Sequence, residues 1–335
     1  TGSSDSIEDI SKKIGKQIRF AHTRVVVIGP EIAKTNLALT IDVLIRTLKL
    51  RNSCPIVYCK TSVKEFMDFA VQIKKNTGLT ATSMICYDLN DATNKIESNL
   101  DNFYKGYLSK TKTSVMNCIS MTTNEKEGVS NSSTSENGGG AQPPKSSSQS
   151  ATSNDEKYLV NNGELAIFKN GTLKEVLSYR NSVGACWIVG KYFPNTLTIK
   201  NITTKKLKNA DITFNIIDKN VSRRTTVIDG VPYFYANIDL SLQLEGIINN
   251  GAPMDIVNSE DVELDDEILL EMNKKIKKEF SDGLKKLREI GADIVGVMAE
   301  FSYDLDKIKG TDNGISAEEL LEKTMFYIKV TATSD

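Results

Sequence analysis

Asp265-Asp-Glu-Ile-Leu-Leu-Glu-Met-Asn-Lys-Lys-Ile-Lys-Lys-Glu-Phe-Ser-Asp-Gly-Leu-Lys-Lys-Leu-Arg-Glu-Ile-Gly-Ala-Asp293 is the stretch on which the fold turns. Leu269, Met272, Ile276, Phe280, Leu284, Leu287 and Ile290 recur every three or four residues, which lines them up along one stripe of a helix. Lys274, Lys275, Lys277, Lys278, Glu279, Lys285, Lys286 and Arg288 fill the opposite, solvated face. Asp265 and Asp266 stand where carboxylates offset the positive end of the helix dipole. Gly291 sits just past the last apolar position, where a left-handed residue ends a helix. The spacing predicts one long helix over 266–290, which needs a broad apolar surface to lie on.

Tyr233 to Glu245 supplies that surface. Phe234, Ala236, Ile238, Leu240, Leu242 and Leu244 alternate with Tyr235, Asn237, Asp239, Ser241, Gln243 and Glu245. Period-2 alternation gives a strand with one dry and one wet face, the pattern of an antiparallel sheet. Asp229-Gly230 is a hairpin turn signal, with partner strands expected at Ser222 to Ile228 and Asp211 to Ile217. Each large aliphatic side chain buried between helix and strand contributes roughly 1.5–3 kcal/mol. Residues 194–335 therefore read as an α+β domain, an antiparallel sheet packed by the long helix. A final strand near Phe326, Ile328 and Val330 is expected to join that sheet.

Strand-like and helix-like segments alternate through the first third. Arg24 to Ile28, Ile56 to Cys59, Ser83 to Tyr87 and Ser114 to Met121 read as strands. A helix beginning at Ser6, and others over Glu31 to Leu48, Val63 to Lys75 and Asp91 to Leu108, read as the intervening layer. This order predicts a mostly parallel α/β domain over 1–121. Residues 122–157 are Ser, Asn, Thr, Gly and Glu with Pro143-Pro144, and read as a disordered linker or loop. Glu164 to Phe168, the Asn170-Gly171 turn, Leu173 to Leu177 and the run Cys186-Trp187-Ile188-Val189 read as a small β-rich domain over 158–193.

The chain's 42 Lys and Arg against 43 Asp and Glu leave no basic excess for nucleic acid. No apolar run approaches the 18 or so residues of a membrane span. The start at Thr1-Gly2 is read as processed or trimmed, so a signal peptide would have gone with it. Five cysteines (Cys54, Cys59, Cys86, Cys118 and Cys186) show no Cys-x-x-Cys spacing, and read as small buried hydrophobes.

Candidate chemistry is sparse. His22 is the one histidine, and any Ser-His or Cys-His catalysis would run through it; before an apolar strand it reads as a packed residue. Gly29-Pro30-Glu31 is a poor phosphate cradle, because Pro30 removes an N–H donor and Glu31 repels phosphate. Glu263, Asp265, Asp266 and Glu267 lack the alternating ligands and glycine of a calcium loop and read as helix N-terminal charge. Asn131, Asn170, Asn201 and Asn220 open Asn-x-Ser/Thr triplets, read as chance in a chain this rich in Asn and Ser. No catalytic, cofactor or metal residue is expected.

Three stretches carry a family resemblance. Phe20-Ala21-His22-Thr23-Arg24-Val25-Val26-Val27-Ile28-Gly29-Pro30-Glu31 puts a histidine before an apolar strand ending in Ile-Gly, with Pro30 where the family has an acidic residue. Ala166-Ile-Phe-Lys169 with Leu173 precedes Trp187-Ile-Val-Gly190-Lys191. Glu289-Ile-Gly-Ala-Asp293-Ile-Val-Gly296 closes the Lys-rich helix. In this order they resemble the Ger(x)C family, the C subunits of bacterial spore germinant receptors. The resemblance runs over nearly the whole chain, with the family's first strands missing. It implies a non-enzymatic lipoprotein, made with a signal peptide and a lipidated cysteine, on the outer face of the spore inner membrane. It further implies an integral-membrane A subunit and a transporter-like B subunit as partners, and no cofactor. None of the five cysteines lies near Thr1, so the lipid site cannot be carried onto this sequence. An α/β enzyme or nucleotide-binding protein, and an extracellular structural or adhesive protein, are the alternatives.

Overall fold

The computed structural model describes residues 9, 12–13, 15, 20, 22–68, 96–123, 158–189, 196–204, 207–254, 266–310 and 314–334. Most of the helix expected from Ser6, the strand at Ser83 to Tyr87 and linker residues 124–157 lie outside them, as do Cys86, Asn131, Glu263 and Asp265.

Strands β1 (Val26–Ile28), β2 (Ile56–Cys59), β3 (Thr113–Thr123), β4 (Tyr158–Lys169) and β5 (Thr172–Leu177) lie side by side in that order in the first sheet. β1, β2 and β3 run parallel, and β3 to β4 and β4 to β5 are antiparallel. Helices α1 (Pro30–Ala33), α2 (Leu37–Arg46) and α3 (Leu100–Leu108) connect the parallel strands, with residues 63–68 also helical. Leu37, Ile41, Leu100 and Phe103 pack with Ile56, Met116 and Phe168 on one face of this sheet. Asn99 caps α3 by accepting the Asn102 N–H at 2.8 Å, so that helix starts later than its apolar spacing suggests.

The stretch read as a small β-rich domain is divided between two layers. Its hairpin, β4 and β5, completes the first sheet, with Asn170 and Gly171 at φ 52° and 79° in the turn. Its Trp-containing run is a helix, α4 (Tyr179–Val189). Every residue from Ser182 to Ile188 is buried, so α4 has no polar face to reveal its period. β3 also runs on to Thr123, two residues into the expected linker.

The second sheet holds β6 (Thr196–Ile202), β7 (Ala210–Ile228), β8 (Val231–Asn249), β9 (Ala252–Met254) and β10 (Met325–Ser334), with β8 flanked by β7 on one side and by β10 and β9 on the other. The two strands expected before Asp229-Gly230 are one long strand, β7, bulged between Thr213/Phe214 and Ile216/Asp218. An unbroken β8 beside it holds the polar Asp218-Lys219-Asn220 in the ladder. Helix α5 (Asp266–Ile290) lies on the dry face. Its buried stripe begins at Ile268, 1% exposed, rather than Leu269. α6 (Val297–Glu300) and α7 (Ala317–Lys323) follow. β10 then pairs with β8 in parallel, in register from Met325↔Tyr233 to Ser334↔Leu242. This corrects the all-antiparallel expectation: α5 carries the chain back along the sheet, so the next strand repeats the direction of β8. The rest of the sheet is antiparallel.

The two sheets share a core. Leu165, Ile167 and Leu177 of the first meet Cys186 of α4, Phe280 and Leu287 of α5, and Phe234 of the second.

Candidate functional site

The residues singled out for chemistry do not converge. His22 is exposed. Gly29 is the N-cap of the four-residue α1, and a Cβ there would meet Val63 at 3.1 Å. Asp266 and Glu267 are exposed in the first turn of α5. Asn170 is a hairpin turn residue, and Asn201 and Asn220 are exposed. Cys54, Cys59, Cys118 and Cys186 are buried, and no disulfide joins any of them. Burial raises the Cys59 thiol and pushes Cys118 and Cys186 up to about 12, away from thiolate chemistry. Among the described residues, no three His, Cys, Asp or Glu side chains are grouped to hold a metal.

What does converge is a polar joint around α4 and α5. The helices cross at Gly184 and Gly283, where a Cβ on Gly184 would lie 2.0 Å from the Glu279 carbonyl oxygen. Trp187 Nε1 donates to Glu279 Oε2 at 2.8 Å. Lys275 lies 3.5 Å from Glu279 and donates to the Thr198 carbonyl of β6 at 2.6 Å. β7 closes the C-terminal end of α4. Lys219 Nζ donates to Trp187 O at 3.2 Å and lies 4.7 Å from the Trp187 ring centre. Arg223 donates to Ile188 O and stands 3.7 Å from Glu300. Cations are favourable where helix carbonyls point outward. Burial lowers the Lys219 ammonium to about 6.

The end of α5 is a second joint. Ala292 N–H donates to Leu287 O and Gly291 N–H to Arg288 O, both at 3.0 Å, with Gly291 at φ 64°. These are the paired bonds of a Schellman motif, which satisfy the last helix carbonyls. The buried Asp293 carboxylate then accepts the N–H groups of Gly296 at 2.8 Å, Val297 at 3.0 Å and Met298 at 2.8 Å, starting α6. Burial raises its pKa against the lowering effect of those three bonds. Lys169, at the end of β4, donates to Gly291 O and pairs with Glu318 of α7.

Two stretches of the family resemblance, Ala166 to Lys169 and Glu289 to Gly296, therefore meet at Lys169 and Gly291. The third described motif residue, Trp187, sits one helix away on Glu279. These residues hold sheet to helix. Sequence spacing marked them without showing that they touch, because Lys169 and Gly291 are 122 positions apart.

Beside the α4–α5 crossing lies an open groove of about 530 Å³. Arg180, Lys200, Lys274, Lys275 and Lys278 line it with Glu271 and Glu279. Arg180 pairs with Asp282 at 3.1 Å and Lys274 with Glu271 at 2.5 Å. Tyr179, Val183 and Ile199 complete the lining, so the groove is a mixed apolar and net-positive surface.

Comparison with known proteins bears on this arrangement. Residues 2–121 match a family model described as the spore germination protein N-terminal domain, and residues 163–331 match one described as spore germination B3/GerAC like, C-terminal. Spore germination protein KC of Bacillus subtilis (strain 168) is 24% identical over 314 residues, covering 92% of this chain and 70% of that protein. The crystal structure of the GerBC protein superposes with a TM-score of 0.59 at 14% identity, over 97% of this chain and 83% of that one, a likeness of fold. With the C-terminal model spanning half the chain and the N-terminal model preceding it in order, the chain belongs to the spore germination B3/GerAC-like family.

Proposed function

We propose that this chain is a non-catalytic C subunit of a nutrient-germinant receptor, required for receptor assembly or signalling when spores germinate. The observation that carries the reading is the ordered pair of family matches over 2–121 and 163–331. The interval between them supports reading residues 122–157 as a linker. In this reading the full-length precursor is lipid-anchored on the outer face of the spore inner membrane, beside an A and a B subunit. No described helix is long and apolar enough to cross a membrane. The polar joints at Trp187 and Asp293 serve this role by fixing the relative placement of the two sheets, as a scaffold between partners requires.

The test is deletion of the gene in a strain without paralogues. Spores are expected to lose germination with one nutrient class and to recover it on complementation. Normal germination with every nutrient, alone and in mixtures, would overturn the reading. Labelling of the full-length precursor with radioactive palmitate tests the anchor separately.

A further inference from the structure

β10 ends the second sheet. It pairs with β8 on one side, and among the described residues no strand pairs with its other side. Proteins usually blunt such an edge with proline, bulges or inward charges. β10 has no proline, bulge or inward charge, since its register with β8 is unbroken over ten pairs; Lys329, exposed on the wet face, is its one edge charge, and the face toward α5 carries none. The apolar face of the sheet also continues to this edge. Phe234, Ala236, Ile238 and Leu240 of β8 are buried, while their neighbours Phe326, Ile328, Val330 and Ala332 on β10 are only half-buried. On the opposite face Tyr327 stacks on Tyr235 at 5.4 Å and on Tyr233 at 6.0 Å, and remains 50% exposed.

The flank of α5 stands alongside. Between that flank and residues 324–328 is a groove of about 440 Å³, walled by Phe280, Leu284 and Phe326. Lys277 and Arg288 line it, and no carboxylate does. Arg288 is held in place by Leu321 O at 3.1 Å and Thr324 O at 2.7 Å, with its guanidinium 5.7 Å from the Phe326 ring centre. Glu322, 3.8 Å from Arg288, is 70% exposed. Lys277 is exposed and forms no ion pair among the described residues. One turn before it, Asn273 keeps a buried Oδ1 with no hydrogen-bond partner. An exposed backbone edge beside an apolar, cationic helix flank is the arrangement that captures a peptide by strand addition.

We infer that the β10 edge and the α5 flank receive an extended segment of another polypeptide as an added strand. Its side chains facing the groove are an apolar residue with a carboxylate two positions to either side. Lys277 and Arg288 are about 16 Å apart along the helix axis. Two carboxylates four strand residues apart span about 13 Å, within reach of these long side chains. A second copy of this chain fits worse, since its own β10 edge brings Lys277 and Arg288 against their like-charged counterparts. The inference goes beyond the receptor reading and does not depend on it.

The test uses the purified chain and a fluorescein-labelled peptide, Thr-Asp-Thr-Leu-Thr-Asp-Thr. Saturable binding by anisotropy is expected, together with slowed amide exchange in residues 325–334. Lys277→Glu, an exposed change checked for native far-UV dichroism, is expected to weaken binding about tenfold. A peptide with Lys in place of one Asp is expected to recover affinity for that variant. Four outcomes would each overturn the inference. They are absence of saturable binding at millimolar peptide, equal affinity for the variant, slowing confined to other strands, and a concentration-dependent dimer that protects 325–334 without peptide.

Discussion

Replacing Gly184 by alanine tests whether the α4–α5 crossing holds the two sheets together. In an ordinary helix interior this change stabilises by about 1 kcal/mol. Here the new Cβ would stand 2.0 Å from Glu279 O, 2.8 Å from Glu279 C and 3.2 Å from Gly283 Cα. All three are backbone atoms, so no rotamer change relieves the clash. Ordinary contact begins at 3.4 Å, so the helices would have to part by about 1.4 Å. Overpacking costs about 1–3 kcal/mol. Losing the hydrogen bond between Trp187 and Glu279 adds about 1.5–3 kcal/mol, since its acceptor is charged. Set against the intrinsic gain, the variant is expected to lose about 1.5–5 kcal/mol, a fall in Tm of roughly 3–20 °C at the 2–4 °C per kcal/mol typical of larger domains. The assay is thermal unfolding followed by tryptophan fluorescence. Trp187 is the only tryptophan in the chain, so its emission reports on this crossing alone. Gly246→Ala is the control, because nothing lies within 4 Å of a Cβ there. If Gly184→Ala melts with or above the wild type, with unshifted emission, the close crossing does not carry the stability assigned to it.

Asp293→Ala orphans three N–H groups that the carboxylate now satisfies. It is expected to cost about 2–4 kcal/mol in urea unfolding. Asp293→Asn keeps one amide oxygen for two of the donors and should lose less; equal losses would refute the capping role. Lys219 titrates near 6 when folded and near its ordinary 10.5 when unfolded. The native state therefore binds fewer protons between those values, and stability should climb with pH across that window. The steepest contribution is about 1.4 kcal/mol per pH unit. Urea midpoints at pH 6.5, 7.5 and 8.5 should rise more for wild type than for Lys219→Met, and parallel curves would rule out a buried, depressed Lys219.

The parts of the fold that could be read in the sequence are those with a strong period. Helix 266–290 alternates buried and charged residues in step with 3.6, and the structure places it there. The strand at Tyr233 to Glu245 alternates in step with 2, and it forms the middle of β8. α4 is hidden for the opposite reason. It is buried on all sides, so Cys186 to Val189 shows only hydrophobicity, and short apolar runs do not tell helix from strand. The parallel pairing of β10 was hidden too, because alternation reveals a face and not a direction. The contacts of Lys169 with Gly291 and Glu318 depend on tertiary folding alone. Glu289 to Gly296 could be quoted as a motif, but its carboxylate cap and its lysine partner become visible only when the chain closes.

That closure shows why a boundary drawn along the sequence differs from a boundary drawn through the core. The two family segments meet somewhere between residues 121 and 163. In space, β3 and β4 are hydrogen-bonded neighbours from Thr113↔Lys169 to Thr123↔Tyr158, so the division runs through the middle of the first sheet. The inner face of β4 contributes Leu165 and Ile167 to the cluster that holds Phe280 and Leu287 of α5. A movement of β3 is thus passed through one ladder of backbone bonds and one layer of side chains to the long helix. Lys169 repeats the connection in polar form, tying the end of β4 to the end of α5. The side-chain layer of Leu165, Ile167, Phe280 and Leu287 is close-packed, so a displaced group there loses its contacts, whereas the Lys169–Glu318 pair is partly exposed to water. The boundary between the two family segments therefore crosses a continuous strand ladder and a shared core.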